Sequence, residues 1–210
     1  MLLEFRNTVK YYRDFRALDI PDLSLGNGIW WLEGENGSGK TTFLKMIAGI
    51  HPFMGDIILN NSLNLKKHRQ QYLRRINYAE AEPLYPPFLT AKDLVELYLA
   101  TKGGEKNTTL ELLDRLHIAD AYEKQVGTWS SGMVKKLSLA LAFIGQPSCI
   151  LLDEPLITLD VASVNIICDV INQTASLGVS FIITSHQTLH QGQLNFTGHL
   201  CATHNTISLL

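Results

Sequence analysis

The apolar residues of this chain form short continuous runs and longer stretches in which they recur every three or four positions. Short runs rich in β-branched and aromatic residues are typical of buried strands, and spacing near 3.6 residues is typical of helices. The predicted strands are GIWWLE (28–33), DIILN (56–60), RRINYA (74–79), CILLD (149–153) and SFIITS (180–185). The predicted helices are TTFLKMIAGI (41–50), TAKDLVELYLATK (90–102), TTLELLDRLHI (108–118), MVKKLSLALAFIG (133–145) and ASVNIICDVINQTASLG (162–178). Because strands and helices alternate, the pattern predicts an α/β fold with a mainly parallel sheet.

Between residues 90 and 144 the helical patterns follow one another without a strong strand signal. This stretch predicts an α-helical subdomain of about residues 90–144, inserted into a core made of residues 1–89 and 145–210. A chain of 210 residues, of which 46% are hydrophobic, is long enough for one well-buried core. We therefore predict a single domain that spans residues 1–210.

The composition of the chain indicates which kinds of partner and which cellular location to expect. The net charge of −2 and the isoelectric point near 6.4 give no basic field, so we expect no nucleic-acid partner. Three widely spaced cysteines, Cys149, Cys168 and Cys201, fit reduced thiols better than a disulfide framework. The N-terminus lacks a signal-peptide pattern, and Gly145 to Pro147 interrupt the most apolar region before it reaches the roughly 20 residues of a membrane span. We expect a cytoplasmic protein that meets a membrane only through a partner.

The stretch GENGSGKTT, residues 34–42, matches the phosphate-loop pattern G-x-x-x-x-G-K-[ST]. A predicted strand precedes it and a predicted helix follows it, which argues against a glycine-rich turn that contains a lysine by chance. In this context backbone amides and the helix N-terminus can surround phosphates, Lys40 neutralises the β- and γ-phosphates, and Thr41 places its hydroxyl on Mg²⁺. The predicted nucleotide contacts are Gly34, Asn36, Gly37, Ser38, Gly39, Lys40, Thr41 and Thr42.

Polar residues follow two other apolar strands and should reach the same edge of the sheet. After CILL, Asp153 is placed to hold Mg²⁺ through water, and Glu154 to orient or deprotonate an attacking water. After FIIT, His186 is placed to contact the γ-phosphate and hold that water in line. Taken alone, either feature is more typical of a solvated strand end. With the phosphate loop, they predict a catalytic centre with Lys40, Glu154 and His186.

A third motif, WSSGM at residues 129–133, precedes a helix with one apolar face, formed by Leu137, Ala140, Leu141 and Ile144. Ser130 and Ser131 suit a helix N-cap, and Gly132 permits close approach of another group. The start of this helix therefore predicts a second anion site that has no phosphate loop of its own.

In this order and spacing, the motifs resemble the ATP-binding subunit of ABC transporters, from Leu2 to about His186. The resemblance implies a P-loop NTPase core with a mainly parallel sheet, an antiparallel β N-terminal part and the inserted helical subdomain. It further implies a subunit that binds ATP and Mg²⁺, hydrolyses ATP, and pairs head to tail with a second ATP-binding subunit in a homo- or heterodimer. That dimer would power a transmembrane permease docked near residues 82–90, so the subunit would be peripheral at the inner face of the cell membrane.

The resemblance also assigns roles to individual residues. WSSGM stands where the family has LSGGQ, so that Ser130 and Gly132 match the motif, whereas Trp129, Ser131 and Met133 depart from it. Asp160 ends the stretch that resembles the D-loop, and His186 falls on the switch histidine. Tyr12 falls on the aromatic residue that stacks on adenine, with Tyr11 or Phe15 as alternatives.

The clearest departure is at the Q-loop, where Ala81 occupies the position of the family's glutamine. An alanine side chain cannot ligate Mg²⁺, so we expect Glu82, or else Glu80, to supply an oxygen ligand instead.

Two other functional classes compete with this interpretation. One is a soluble ABC-type ATPase of translation or DNA repair, which usually carries two such domains or a long coiled-coil insertion. The other is a phosphate-loop kinase or GTPase, which would not explain WSSGM, and the guanine-reading N-K-x-D motif of GTPases is absent. In the segment after His186 we expect one or two short strands that close the sheet. The short spacing of His199, Cys201 and His204 does not favour a metal site.

Overall fold

The computed structural model describes residues 2–185 and 193–210, and the strands in these residues form two sheets. The strands are β1 (Leu3–Tyr12), β2 (Phe15–Leu25), β3 (Ile29–Glu33), β4 (Met54–Leu59), β5 (Leu63–Asn64), β6 (Ile76–Ala79), β7 (Cys149–Leu152), β8 (Ser180–Thr184), β9 (Gly198–Thr203) and β10 (Thr206–Leu209). The helices are α1 (Lys40–Ile47), α2 (Arg69–Leu73), α3 (Ala91–Lys102), α4 (Lys106–Arg115), α5 (Ser131–Ala142) and α6 (Val161–Ser176). Short 3₁₀ turns lie at Ala119–Ala121 and Val126–Thr128.

The larger sheet has the strand order β10-β9-β3-β8-β7-β6. Its five strands from β9 to β6 are parallel, and β10 pairs antiparallel with β9. The α/β fold with a mainly parallel sheet is thereby confirmed. The predicted short strands near the C-terminus are β9 and β10, which extend one side of this sheet.

The smaller sheet is antiparallel, in the order β2-β1-β4-β5. It is the N-terminal β part implied by the resemblance, and it also contains the predicted strand DIILN as part of β4. The apolar pattern did not reveal β1, because the polar residues Thr8 and Lys10 lie buried on its inner side. The Thr8 hydroxyl donates to the Asp56 carbonyl at 2.9 Å, and Lys10 Nζ donates to the Pro52 carbonyl at 3.0 Å. Hydrogen bonds to main-chain carbonyls thus allow polar residues to be buried at strand positions where the apolar pattern predicts apolar residues.

Both faces of the parallel sheet are covered. Successive residues of β7 alternate between two apolar clusters, with Ile150 and Leu152 in one cluster and Cys149 and Leu151 in the other. One cluster packs the sheet against α3–α6, and the other packs it against α1 and the antiparallel sheet. Burial on both faces explains why β7 reads as a continuous apolar run rather than an alternating one.

The stretch from α3 to α5 is helical, as predicted, and contains no strand; all of its residues are described. The apolar face predicted for α5 is also confirmed, because Leu137, Ala140, Leu141 and Ile144 are all buried. The apolar cluster on this side runs continuously from the helices into the sheet. The division of the chain at about residues 90 and 144 therefore stays a prediction.

Across residues 2–185 and 193–210, we find no helix with both the length and the apolar character needed to span a membrane.

The fold predicts a difference in reactivity among the three thiols, all of which are free. Cys149 and Cys168 are buried, and burial raises the pKa of both thiols, that of Cys168 to about 11. Cys201 is only partly buried. Because the thiolate is the reactive species, we expect Cys201 in the native protein to react with a disulfide reagent at least about tenfold faster than the other two. Release of the reagent's chromophore over time measures this. A rapid phase that persists in Cys201→Ser would contradict the prediction.

Candidate functional site

The sequence-predicted site residues converge at the carboxyl edge of the parallel sheet. The phosphate loop leaves β3 and enters α1, Asp153 and Glu154 follow β7, and Thr184 ends β8. Since β3, β8 and β7 are parallel neighbours, their last residues emerge side by side. This edge is where α/β proteins place their ligand sites.

The phosphate loop wraps around the ammonium group of Lys40. Lys40 Nζ donates to the carbonyls of Gly34 at 2.7 Å and Glu35 at 3.0 Å. Gly39, in the left-handed region at φ 101°, forms the N-cap of α1. The hydroxyl of Ser38 is buried, and among the described residues it has no hydrogen-bond partner. The loop therefore presents a buried hydroxyl and a helix N-terminus next to a buried cation, which is a suitable environment for phosphate oxygens.

The electrostatics of Lys40 favour a bound anion. Burial lowers the pKa of its ammonium, and the negative charges of Glu154 and Asp153 oppose this effect without cancelling it. A phosphate group at the loop would stabilise the charged form of Lys40 further.

The acidic pair after β7 is buried, with Asp153 at 1% and Glu154 at 8% exposure. The Thr184 hydroxyl donates to Asp153 Oδ1 at 2.7 Å, and the Tyr78 hydroxyl donates to Asp153 Oδ2 at 3.3 Å. Burial raises the pKa of Tyr78, with smaller contributions from Asp153 and Glu80, so Tyr78 remains a neutral donor. This role of Tyr78 was not predicted, although its place near the end of a predicted strand was a usable signal.

The WSSGM stretch forms the start of α5 as predicted. Ser130 is the N-cap, and its hydroxyl accepts from the amide of Met133 at 3.2 Å. A side chain at Gly132 would meet the carbonyl of Thr158 at 3.4 Å, so the helix start lies against the stretch that precedes α6. Asp160 caps α6 and pairs with Lys136 of α5 at 2.7 Å. Hydrogen bonds from Lys136 and from Ser163 lower the pKa of Asp160.

A family model described as ABC transporter matches residues 22–157, which include the phosphate loop, WSSGM and the acidic pair. The chain belongs to the ABC transporter family. The matched residues are the nucleotide-binding ATPase domain of that family, and the kinase and GTPase alternative is excluded.

Named relatives agree with this assignment. The human glucosylceramide transporter ABCA12 is 34% identical over 179 residues, which are 81% of this chain and 7% of that protein. The cytochrome c biogenesis ATP-binding export protein CcmA of Haemophilus influenzae is 28% identical over 191 residues, 88% of this chain and 89% of that protein. The lantibiotic transport ATP-binding protein SrtF of Streptococcus pyogenes is 27% identical over 187 residues, 88% of this chain and 80% of that protein. The chain thus spans less than a tenth of the length of the ABCA relatives.

Solved structures show the same fold. An ATP-binding subunit of an ABC transporter superposes with a TM-score of 0.88 at 21% identity, over 100% of this chain and 90% of that one. A putative cobalt transport ATP-binding protein superposes with a TM-score of 0.84 at 25% identity, over 100% of this chain and 80% of that one.

The structure brings Tyr12, the residue on the family's adenine-stacking position, to the first turn of α1. The Tyr12 and Thr42 hydroxyls lie 3.3 Å apart, within hydrogen-bond distance. Lys10 Nζ lies 4.6 Å from the centre of the Tyr12 ring, and His51 meets the ring edge-on at 5.8 Å. The stacking role itself stays a prediction. His186 lies outside the described residues, so its role is likewise a prediction.

The two carboxylates beside the ABC Q-loop position, Glu80 and Glu82, differ in their contacts. Glu80 Oε2 lies 3.5 Å from Lys45 Nζ of α1, whereas Glu82 is exposed. Burial lowers the pKa of the Lys135 ammonium, and the negative charges of Asp153, Glu154 and Glu82 partly oppose this effect. The role of Lys135 was not predicted. It is a buried lysine of α5, and its position just before the apolar run of that helix was the available signal.

The residues present fit a magnesium ion bound together with phosphates. The described residues contain no group of three or more His, Cys, Asp or Glu side chains that would hold a metal on their own. Thr41 and Asp153 offer hydroxyl and carboxylate oxygens, the ligand type that Mg²⁺ prefers when phosphates and waters complete its shell.

We expect the loss of stability caused by an alanine substitution in the phosphate loop to depend on the space around the substituted glycine. Gly34 and Gly37 both have positive φ, at 150° and 80°. A Cβ on Gly34 would lie 2.6 Å from the Ala202 carbonyl, whereas a Cβ on Gly37 meets nothing within 4 Å. Gly37→Ala should cost about 1–2 kcal/mol from backbone strain alone, and Gly34→Ala more, because the backbone must also move. Urea denaturation of both variants measures the two costs. Equal stability of the two variants would contradict the prediction.

Proposed function

We propose that this chain is the ATP-binding and ATP-hydrolysing component of an ABC transporter, which works as a head-to-tail pair and powers a separate transmembrane permease. The observation that carries the proposal is the convergence of the phosphate loop, Lys40 and the buried Asp153–Glu154 pair at one sheet edge. Family membership and the transport ATP-binding relatives of similar length support it.

Each residue of the site has a role in this function. Lys40 and the loop amides bind the β- and γ-phosphates, and Tyr12 stacks on the adenine. Thr41 would hold Mg²⁺ through its hydroxyl and Asp153 through water, with Glu82 as a further oxygen ligand, and the bound ion would neutralise charge on the phosphates. Glu154 orients or deprotonates the attacking water, and His186 holds that water in line with the γ-phosphate.

The start of α5 supports pairing with a second ATP-binding subunit, either identical or different. The first intrahelical amide donor of α5 is Val134, which bonds the Ser130 carbonyl at 3.0 Å. The amides of Ser131 and Gly132 precede it, so they have no partner within the helix. Together with the Ser130 hydroxyl and Asp160, they form the half-site that completes the partner's ATP site.

A groove beside β6 supports docking of a permease. It has a volume of about 760 Å³ and is lined by residues from β6, α2, α3 and the segment after β6, among them Tyr78, Pro83 and Tyr98. At its rim Leu84 is 92% exposed, and nearby Phe88 is 67% exposed. Large exposed apolar side chains mark interaction sites, and here they favour an apolar segment of a membrane protein. This contact would make the chain a peripheral protein at the inner face of the membrane.

The transporter function is favoured over a soluble ATPase of translation or DNA repair. The relatives named above are transporters or transport ATP-binding proteins. The net charge of −2 also gives the chain no overall positive charge of the kind that favours nucleic acid.

The first test concerns ATP binding. Lys40→Ala should weaken binding of MgATP by about tenfold or more, because a charge-assisted hydrogen bond contributes roughly 1.5–3 kcal/mol. Isothermal titration calorimetry measures the affinity. The matched control is Lys92→Ala, which removes a partly exposed lysine of α3 that pairs with Glu123 and should bind ATP like the wild type. Wild-type affinity in Lys40→Ala would contradict the proposed site.

The second test concerns ATP-dependent pairing. Glu154→Gln removes the proposed base but keeps the shape of the side chain, so ATP should remain bound and hold two chains together. With MgATP we expect the mass from light scattering to rise from 23.5 kDa to twice that value. The double variant Lys40→Ala/Glu154→Gln should stay monomeric. A Glu154→Gln chain that remains monomeric with ATP at every concentration would contradict head-to-tail pairing.

A further inference from the structure

The peptide group that joins Asp153 to Glu154 is held from both sides by buried side chains. Its carbonyl accepts a hydrogen bond from Lys135 Nζ at 3.0 Å. Its amide donates to the Thr184 hydroxyl at 2.9 Å. The two side chains come from α5 and β8, so two separate elements fix the plane of this one peptide.

Lys135 is well suited to hold main-chain groups. It is 2% exposed, and its ammonium donates to three carbonyls, those of Glu80 at 2.8 Å, Ala81 at 2.9 Å and Asp153 at 3.0 Å. An ammonium has three protons, so this set satisfies it completely. Lys135 therefore ties α5 to the segment after β6 and to the end of β7.

Thr184 is fully buried, and its hydroxyl both donates and accepts a hydrogen bond. The single proton goes to Asp153 Oδ1 at 2.7 Å, which leaves a lone pair to accept the Glu154 amide. The hydroxyl thus fixes the carboxylate of Asp153 and the main chain of Glu154 relative to each other.

The backbone of Glu154 requires such support. Its φ is 47°, in the left-handed region that non-glycine residues rarely adopt. A residue in such a conformation keeps it only where the surrounding structure holds it there. The bonds from Lys135 and Thr184 act on the peptide immediately before this residue.

We propose that Lys135 and Thr184 are positioning residues that hold Glu154 in the orientation needed to act on the attacking water. The inference rests on the proposed function, because it takes Glu154 to be the group that acts on water. It adds a link that the sequence motifs do not contain, since Lys135 joins the helix that starts at WSSGM to the proposed base of the same chain. It also shows how the segment at Ala81 is anchored, because Lys135 binds main-chain oxygen there and needs no particular side chain.

The test compares isosteric and conservative variants of Thr184 in the full-length chain. Thr184→Val keeps the shape and removes the hydroxyl, whereas Thr184→Ser keeps the hydroxyl. We expect Thr184→Val to lower kcat for ATP hydrolysis about tenfold or more, with KM and the affinity for a fluorescent ATP analogue changed less than about twofold. Thr184→Ser should recover most of kcat.

A second pair of variants tests Lys135. Lys135→Met removes the ammonium from the Asp153 carbonyl and should lower kcat in the same way. The control is Lys102→Met, because Lys102 also donates to main-chain carbonyls, those of Leu73 and Ile76, but at the opposite end of β6. Lys102→Met should change thermal stability but leave kcat at the wild-type value. If Lys135→Met fails to fold, the Thr184 variants decide the question.

The outcomes separate this inference from the proposed function. If the wild type hydrolyses ATP and Thr184→Val keeps full kcat, or if Thr184→Ser is as slow as Thr184→Val, the positioning role is wrong and the proposed function stands. An equal loss of kcat in Lys102→Met would likewise overturn the role of Lys135. A wild-type chain that binds the analogue but does not hydrolyse ATP would overturn the proposed function and the positioning role together.

Discussion

Burial of β7 and β8 on both faces is the constraint on which the rest of the structure depends. Neither strand can place a charged side chain along its length without exposing that charge to one of the two apolar clusters. Charged groups therefore appear where β7 ends, at Asp153 and Glu154. Because the strands are parallel, these ends lie on one edge, and the phosphate loop that leaves β3 reaches the same edge. The packing of the sheet thus concentrates the chemistry in one place.

The two buried lysines at this edge differ in what surrounds them. Burial lowers the pKa of both ammonium groups, that of Lys135 to about 8. Lys135 has three carbonyl partners, which fill its hydrogen-bonding capacity with protein groups. Lys40 has two, and the adjoining Ser38 hydroxyl has none among the described residues. The remaining capacity at Lys40 suits a ligand, whereas Lys135 is committed to holding the chain.

The parts of the fold that could be predicted are those that local pattern determines. The runs at β3, β7 and β8 are apolar because the strands are buried on both faces, and the Ser130 cap follows from serine before an amphipathic helix. The strand β1 and the role of Lys135 could not be predicted for a common reason. Thr8, Lys10 and Lys135 are buried against main-chain carbonyls distant in sequence, and every residue type carries such carbonyls. A sequence therefore shows the polar residue but gives no sign of its partner.

Consecutive lysines of α5 connect its start to two different parts of the site. Lys135 reaches the Asp153 carbonyl inside the protein, and Lys136 reaches the Asp160 carboxylate near the surface. A helix moves as a rigid unit over one turn, so a shift at Ser130 would act on both attachments together. In the proposed dimer, Ser130 and Gly132 meet the ATP of the other subunit. ATP bound at that half-site would then change the position of the main chain at Glu154, which is the proposed base for the chain's own ATP. The two sites of the pair would therefore be linked through the backbone as well as through the nucleotides.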